Sequence, residues 1–129
     1  MNMNIYGNGI DIVEIKRIKS LITKNKKIKK RIFKKNEIKS CEKLKNKFSC
    51  YAKRFAAKEA FAKALGTGIS KGLSFNEIEI NNNNSGKPFL ELKKKSYRIV
   101  KMIIRKKFKV YLSLSDEKNY AVASVVIVK

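Results

Sequence analysis

Arg54-Phe55-Ala56-Ala57-Lys58-Glu59-Ala60-Phe61-Ala62-Lys63-Ala64-Leu65-Gly66-Thr67-Gly68 lies near the middle of the chain and reads as an amphipathic helix running into a glycine stop. At about 100° per residue, Tyr51, Ala52, Phe55, Ala56 and Ala60 fall on one apolar arc. Glu59 and Lys63 fall inside that arc and not on the polar face opposite. A carboxylate and an ammonium among small apolar side chains must be paired, metal-bound or in contact with a ligand, because burying a bare charge is too unfavourable. That placement makes both candidates for chemistry. An ion pair one turn apart, as many surface helices carry, explains the same spacing, so the helix alone leaves both readings open.

Outward from that helix, composition limits the alternatives. With 129 residues and 43% hydrophobic side chains, the chain is expected to form a single domain over residues 1–129 with a proper core. No apolar run approaches the roughly 20 residues of a membrane span. Met1-Asn2-Met3-Asn4-Ile5-Tyr6-Gly7 lacks a basic segment followed by a long apolar one, which predicts a cytoplasmic protein. Cys41 and Cys50 have no metal-type spacing and are expected to be free thiols in a reducing compartment. There is no histidine, which excludes every His base, His nucleophile, His metal site and His-paired cysteine. Acids and bases must then come from Asp, Glu, Lys, Tyr or bound water, and oxygen donors favour Mg²⁺ over Zn²⁺. The net charge of +22 calls for an acidic partner. The excess is Lys rather than Arg and comes with many Asn and Ile, so part of it reflects AT-rich coding, and charge alone does not select nucleic acid.

The flanking segments read as a mixture of helices and hairpins. Ile5 to Gly9 is a short strand candidate. Asp11, in Gly9-Ile10-Asp11-Ile12-Val13, is a carboxylate in an apolar run. As a helix N-cap it would leave Ile12, Ile15, Ile18, Leu21 and Ile22 at helical spacing. Lys24 to Lys35 reads as basic helix or helix plus loop. Asn36-Glu37-Ile38 starts a short helix through Cys41 and Leu44, and Lys45-Asn46-Lys47 is a linker. Phe75 to Ile80 and Phe89 to Leu92 form a hairpin around Asn81 to Pro88. Ser96 to Phe108 is helical. Val110 to Leu114 and Tyr120 to Val128 form a second hairpin around Asp116 to Asn119. The nearly all-apolar last strand is expected to be buried on both faces or covered by a partner subunit. The class is α+β, an antiparallel sheet with hairpins packed against helices.

Three features stand together: Gly7-Asn8-Gly9-Ile10-Asp11-Ile12-Val13-Glu14-Ile15-Lys16-Arg17-Ile18, the stretch Arg54 to Gly68, and Asn84-Ser85-Gly86-Lys87-Pro88 with the hairpin Leu112-Ser113-Leu114-Ser115-Asp116. In this order, over almost the whole chain, they closely resemble the holo-[acyl-carrier-protein] synthases, small bacterial 4′-phosphopantetheinyl transferases. The resemblance implies that fold, and transfer of phosphopantetheine from coenzyme A to a serine of apo-acyl carrier protein in fatty acid biosynthesis. Adenosine 3′,5′-bisphosphate leaves. It implies Mg²⁺ held by Asp11 and Glu59 and bridging to the pyrophosphate. Lys63 is assigned to the β-phosphate or to proton handling, with Glu59, a metal-bound water or Lys63 as the general base. Arg54 matches a position that contacts the nucleotide 3′-phosphate. Gly66, Thr67 and Gly68 border coenzyme A or simply cap the helix, and Gly86, Lys87 and Pro88 line the adenosine or pantetheine side or simply turn the hairpin. Arg17, extended by Lys24, Lys27 and Arg31, matches a basic helix that docks the acidic carrier. Members of the family are usually homotrimers with the active site between subunits. Many carry histidine where this chain has Asp116, and another branch carries an acidic pair there.

A basic RNA-binding module is the competing reading. It accounts for the charge and the scattered aromatic residues. It does not account for Asp11 and Glu59 in apolar runs, which would repel phosphates without a metal, and no RNP-type, KH or zinc motif is present. The expectation is therefore an enzyme without nucleic-acid or membrane partners.

Overall fold

A computed structural model describes residues 3–70 and 72–129, so the first two residues of the leader reading lie outside it. In chain order the elements are β1 (Ile5–Glu14), α1 (Ile15–Lys24), α2 (Lys26–Ile32), α3 (Lys35–Glu42), α4 (Lys47–Leu65), β2 (Ile78–Asn82), β3 (Pro88–Leu92), α5 (Lys94–Ile104), β4 (Lys109–Asp116) and β5 (Tyr120–Val128). A 3₁₀ turn over Phe75–Glu77 leads into β2. The strands form two antiparallel sheets, one ordered β1-β5-β4 and one made of the β2-β3 hairpin. The α+β expectation agrees with this arrangement.

Helix α4 is the centre of the molecule. It is longer than the stretch quoted above and is buried round almost its whole circumference, with Tyr51, Ala52, Ala56, Ala57, Ala60, Phe61 and Ala62 fully excluded from solvent. Excluding Phe61 from water contributes about 3 kcal/mol. Glu59 and Lys63 lie between the buried residues of the expected arc, and they form its open strip: Glu59 is half-buried and Lys63 exposed on a helix buried along most of its length. The helix ends at Gly66, whose φ of 92° is left-handed and whose N–H donates to the carbonyls of Ala62 and Lys63. Thr67 and Gly68 also donate to the Ala62 carbonyl, closing a glycine C-cap.

From Gly7 on, strand β1 packs on α4 through its odd residues. A Cβ on Gly7 would strike the Ala64 carbonyl, and one on Gly9 the Ala60 carbonyl. The two glycines therefore let the strand backbone lie directly on the helix. Asp11 comes next on the same face, followed by buried Val13. The short strand expected over Ile5 to Gly9 thus continues to Glu14, and Asp11 is a strand residue and no helix N-cap. Pairing with β5 carries the strand on: Asp11 sits opposite Ala123 and Ile12 opposite Val122. Helical spacing from Ile12 misleads because Ile15, Ile18 and Ile22 belong to α1, which begins directly after the strand ends at Glu14.

Strand β5 is central, so its hydrogen bonds are satisfied on both edges. Ala121, Ala123, Val125 and Ile127 face α4 and are fully buried. The opposite face is not covered by this chain. Ile10 and Ile12 there remain 64% and 63% exposed, beside Val122, Val126 and Tyr111. Burial of β5 on both faces within one chain is thereby corrected. Helix α5 spans Lys94–Ile104, not Ser96 to Phe108, because Arg105 turns left-handed at φ 62°. No helix among the described residues is long and apolar enough to cross a membrane.

Candidate active site

The Gly7–Ala64 and Gly9–Ala60 contacts bring Asp11 beside the C-terminal half of α4. The Lys63 ammonium donates to Asp11 Oδ1 at 3.0 Å and to the Ile10 carbonyl at 3.1 Å. Asp11 is largely shielded and Lys63 largely exposed, at 15% and 53% side-chain exposure. Glu59, one turn before Lys63, completes the cluster. Burial raises its pKa above the usual carboxylate range, and the charge of Asp11 raises it further; Lys63 and Arg17 pull against that. The structure thus gathers Asp11, Glu59 and Lys63, with Arg17 of α1 within electrostatic reach.

Two carboxylates and one exposed ammonium form a site for positive charge that is only partly filled by protein. Asp11 Oδ1 already takes a cationic partner, and the like-charge strain at Glu59 is of the kind a second cation relieves. Two hard oxygen donors leave room for water and phosphate oxygens, as Mg²⁺ requires. The residues fit such an ion. Among the described residues no group of three or more His, Cys, Asp or Glu side chains converges to make a complete protein shell.

The other predicted residues lie elsewhere on α4. Arg54 and Lys63 are nine positions apart. At about 100° per residue they point to opposite sides of the helix, and they are about 13 Å apart along it. Arg54 is 5% exposed and donates to the Ile80 carbonyl at 2.6 Å. It lines a cleft of about 450 Å³ with Lys53, Cys50, Asn82, Gly86 and Pro88. Lys87 points to a neighbouring groove with Phe89, Tyr111 and Ser113. Its turn is held by Asn83 Oδ1, which accepts from Ser85 and Lys87 N–H groups. Gly66 and Gly68 form the C-cap, and a side chain at either would meet nothing within 4 Å in this chain. Arg17, Lys24, Lys27 and Arg31 are all exposed, on the successive helices α1 and α2.

Three features were missed from sequence. Lys58, fully buried, donates to Glu37 Oε1 at 2.7 Å and to the Ile32 and Phe75 carbonyls at 2.7 and 2.8 Å. Burial lowers its pKa to about 8 although Glu37 draws it up. Glu37 also accepts from the backbone of Lys34 and Ile80, so this ion pair ties α3, α4 and β2 together. Its signal was a lysine four residues after Arg54 on the most apolar helix. Asp116 accepts from the Ser49 hydroxyl and pairs with Lys53 at 3.3 Å, and these two, Ser49 foremost, hold its pKa below the usual range. Cys41 and Cys50 are not free thiols. They form a disulfide with Cα atoms 5.5 Å apart. The helical turn between α3 and α4 folds them together, which the linear spacing of nine could not reveal.

The profile of the 4′-phosphopantetheinyl transferase superfamily matches residues 7–125. Holo-[acyl-carrier-protein] synthase of Pelagibacter ubique is 47% identical, across 98% of this chain and 99% of the relative. Among solved structures, the Neisseria meningitidis holo-[acyl-carrier-protein] synthase superposes with a TM-score of 0.85 at 38% identity, covering 96% of this chain and 98% of that one. The Bacillus anthracis synthase, solved in complex with coenzyme A (3′,5′-ADP), superposes at 0.79 with 40% identity and 98% coverage of both chains. Near-complete coverage in both directions, with the acidic cluster and its glycine-packed strand in place, establishes that this chain belongs to the 4′-phosphopantetheinyl transferase superfamily, on its holo-[acyl-carrier-protein] synthase branch.

Proposed function

We propose that this protein transfers the 4′-phosphopantetheine group of coenzyme A to a serine of apo-acyl carrier protein, as a cytoplasmic Mg²⁺-dependent enzyme of fatty acid biosynthesis. The observation that carries the reading is the Asp11–Glu59–Lys63 cluster, held by glycine packing in a chain alike over its whole length to named synthases. The serine oxygen forms a bond to the β-phosphorus, the bond from that phosphorus to the bridging oxygen breaks, and adenosine 3′,5′-bisphosphate leaves. Asp11 and Glu59 would hold Mg²⁺, which when bound supplies positive charge against the pyrophosphate oxygens. Lys63 neutralises Asp11 in the free enzyme. It is exposed and flexible enough to turn to the transferring phosphate, where charge develops. Glu59, one turn before Lys63 in the cluster, takes the serine proton as general base.

Lys63 and the Arg54 cleft face opposite sides of α4, so one coenzyme A molecule reaches both only where two copies meet. The uncovered apolar face of the β1-β5-β4 sheet supports such self-association, in keeping with a homotrimer whose sites lie between subunits. Arg17, with Lys24, Lys27 and Arg31, would dock the acidic carrier beside the cluster. Arg17 already acts on Glu59 electrostatically.

The test mixes the protein with apo-acyl carrier protein, coenzyme A and Mg²⁺ and follows the carrier by intact mass. A phosphopantetheine increment that needs metal and vanishes in Glu59→Ala is the expected result. No increment with a competent carrier and a folded enzyme would overturn the reading, and an RNA-binding assay would follow.

A further inference from the structure

The Cys41–Cys50 disulfide takes no part in the acidic cluster. It joins the last turn of α3 to the first turn of α4 across the exposed loop 43–46. Cys41 is fully buried, and Cys50, 7% exposed, forms part of the wall of the Arg54 cleft. Cys50 and Arg54 are one helical turn apart, so both face that space. Ser40, Leu44 and Asn46, which belong to α3 and the loop that the bridge pins, form the adjoining rim of the same cleft. The neighbouring pair offers a second tie: Tyr51 donates to Glu42 at 2.6 Å, and Lys29 and Lys47 approach Glu42 at 3.1 and 3.2 Å. Opening the bridge would therefore loosen the rim while leaving α3 attached to α4.

We infer that Cys41 and Cys50 form a reversible thiol–disulfide couple that sets the affinity of the Arg54 cleft for its nucleotide. The inference rests on the reading of that cleft as the nucleotide end of the coenzyme A site. The reductant is a small thiol such as glutathione, which reaches the sulfur of Cys50 through the cleft. Its thiolate bonds to Cys50 Sγ, the Cys50–Cys41 bond breaks, and Cys41 leaves as a thiolate and takes a proton. A second glutathione thiolate then attacks the glutathione sulfur of the mixed disulfide, and Cys50 leaves and is protonated. In sum, two glutathione thiols are oxidised to glutathione disulfide and the protein disulfide is reduced to two thiols. The reverse exchange closes the bridge. Because the rim is made by α3 and the loop, the closed form holds it in place before ligand arrives, and the open form must order it on binding. Linkage makes the effect reciprocal: a nucleotide that prefers the bridged form also resists its reduction.

The experiment equilibrates the full-length protein in glutathione buffers of varied reduced-to-oxidised ratio, traps thiols with N-ethylmaleimide and counts them by intact mass. Calorimetry on portions of the same equilibrated samples taken before maleimide is added measures affinity for adenosine 3′,5′-bisphosphate, a probe without a thiol of its own. The expected result is no maleimide in oxidising buffer and two in reducing buffer. Nucleotide affinity should be about fivefold or more higher in the bridged form. Cys41→Ala/Cys50→Ala should bind like the reduced protein in every buffer, and added nucleotide should shift the bridging midpoint towards more reducing ratios. The reduced wild type supplies the same comparison if that variant does not fold. Two maleimides in every buffer would overturn the couple, and equal affinities in both forms would overturn its control of binding. Absence of nucleotide binding in both forms would overturn the cleft assignment and with it that control, while the maleimide count still decides the bridge.

Discussion

Lys63 and Glu59 carry separable tasks. Lys63 sits largely in water, and its partner Asp11 has other means of being neutralised once a cation is bound. Lys63→Ala should therefore lose about a hundredfold or more in kcat with little change in coenzyme A affinity, measured by steady-state turnover and calorimetry. Equal losses in both would make it a binding residue only. Glu59 predicts a divergence between stability and activity. Its pKa is raised in the folded state, by burial first and by Asp11 second. The fold therefore favours the protonated form. Any stabilisation from it is complete below the unfolded carboxylate pKa and is lost as pH rises through the higher folded value. Glu59→Gln should abolish transfer yet, in metal-free buffer, unfold at an equal or higher urea concentration than the wild type at pH 7, with the difference shrinking towards pH 4. A variant less stable at pH 7 than at pH 4, relative to wild type, would overturn that sign.

At the scale of elements, the site depends on how closely β1 lies on α4. Only hydrogen at Gly7 and Gly9 permits the strand to touch the Ala64 and Ala60 carbonyls, and Asp11 is placed by that contact. Gly9→Ala has no flexible side chain to displace, because its Cβ meets backbone. It should destabilise the protein by about 3 kcal/mol in urea unfolding and should impair transfer even where the fold survives. A neutral effect on both would mean that the strand can shift without moving Asp11. The buried Lys58–Glu37 pair acts at the same scale, since it satisfies carbonyls of two segments and locks α3 and β2 to α4. It has no route to substrate, which separates it from Lys63 although the two residues are close in sequence.

The whole molecule exposes what one copy leaves incomplete. The sheet face bearing Ile10, Ile12, Val122 and Val126, with Ser113 and Ser124 among them, is uncovered, and the two groups of substrate-binding candidates face away from each other across α4. Ile12→Lys charges that face without touching the residues packed on the helix, because alternation puts Asp11 and Ile12 on opposite sides. The expected outcome is a smaller species in sedimentation than the wild type, with turnover reduced about tenfold or more. A wild type that is monomeric and fully active would dispense with the second copy.

The sequence alone determined the helix through Glu59 and Lys63, its glycine stop, both hairpins, the class of the fold and the family. Those readings rest on local periodicity, turn chemistry and motif order, all written along the chain. Tertiary structure decided what depends on partners distant in sequence. Asp11 proved a strand residue because β5 pairs with it. Arg54 and Lys58 proved to be the deeply buried charges of α4 because that helix is covered on nearly every side, which one apolar arc does not disclose. Cys41 and Cys50 became a disulfide because a turn brings two helix ends together. The separation of Arg54 from Lys63 likewise follows from helical geometry within a folded chain: residues near in number can face opposite ways, and only packing fixes what each of them meets.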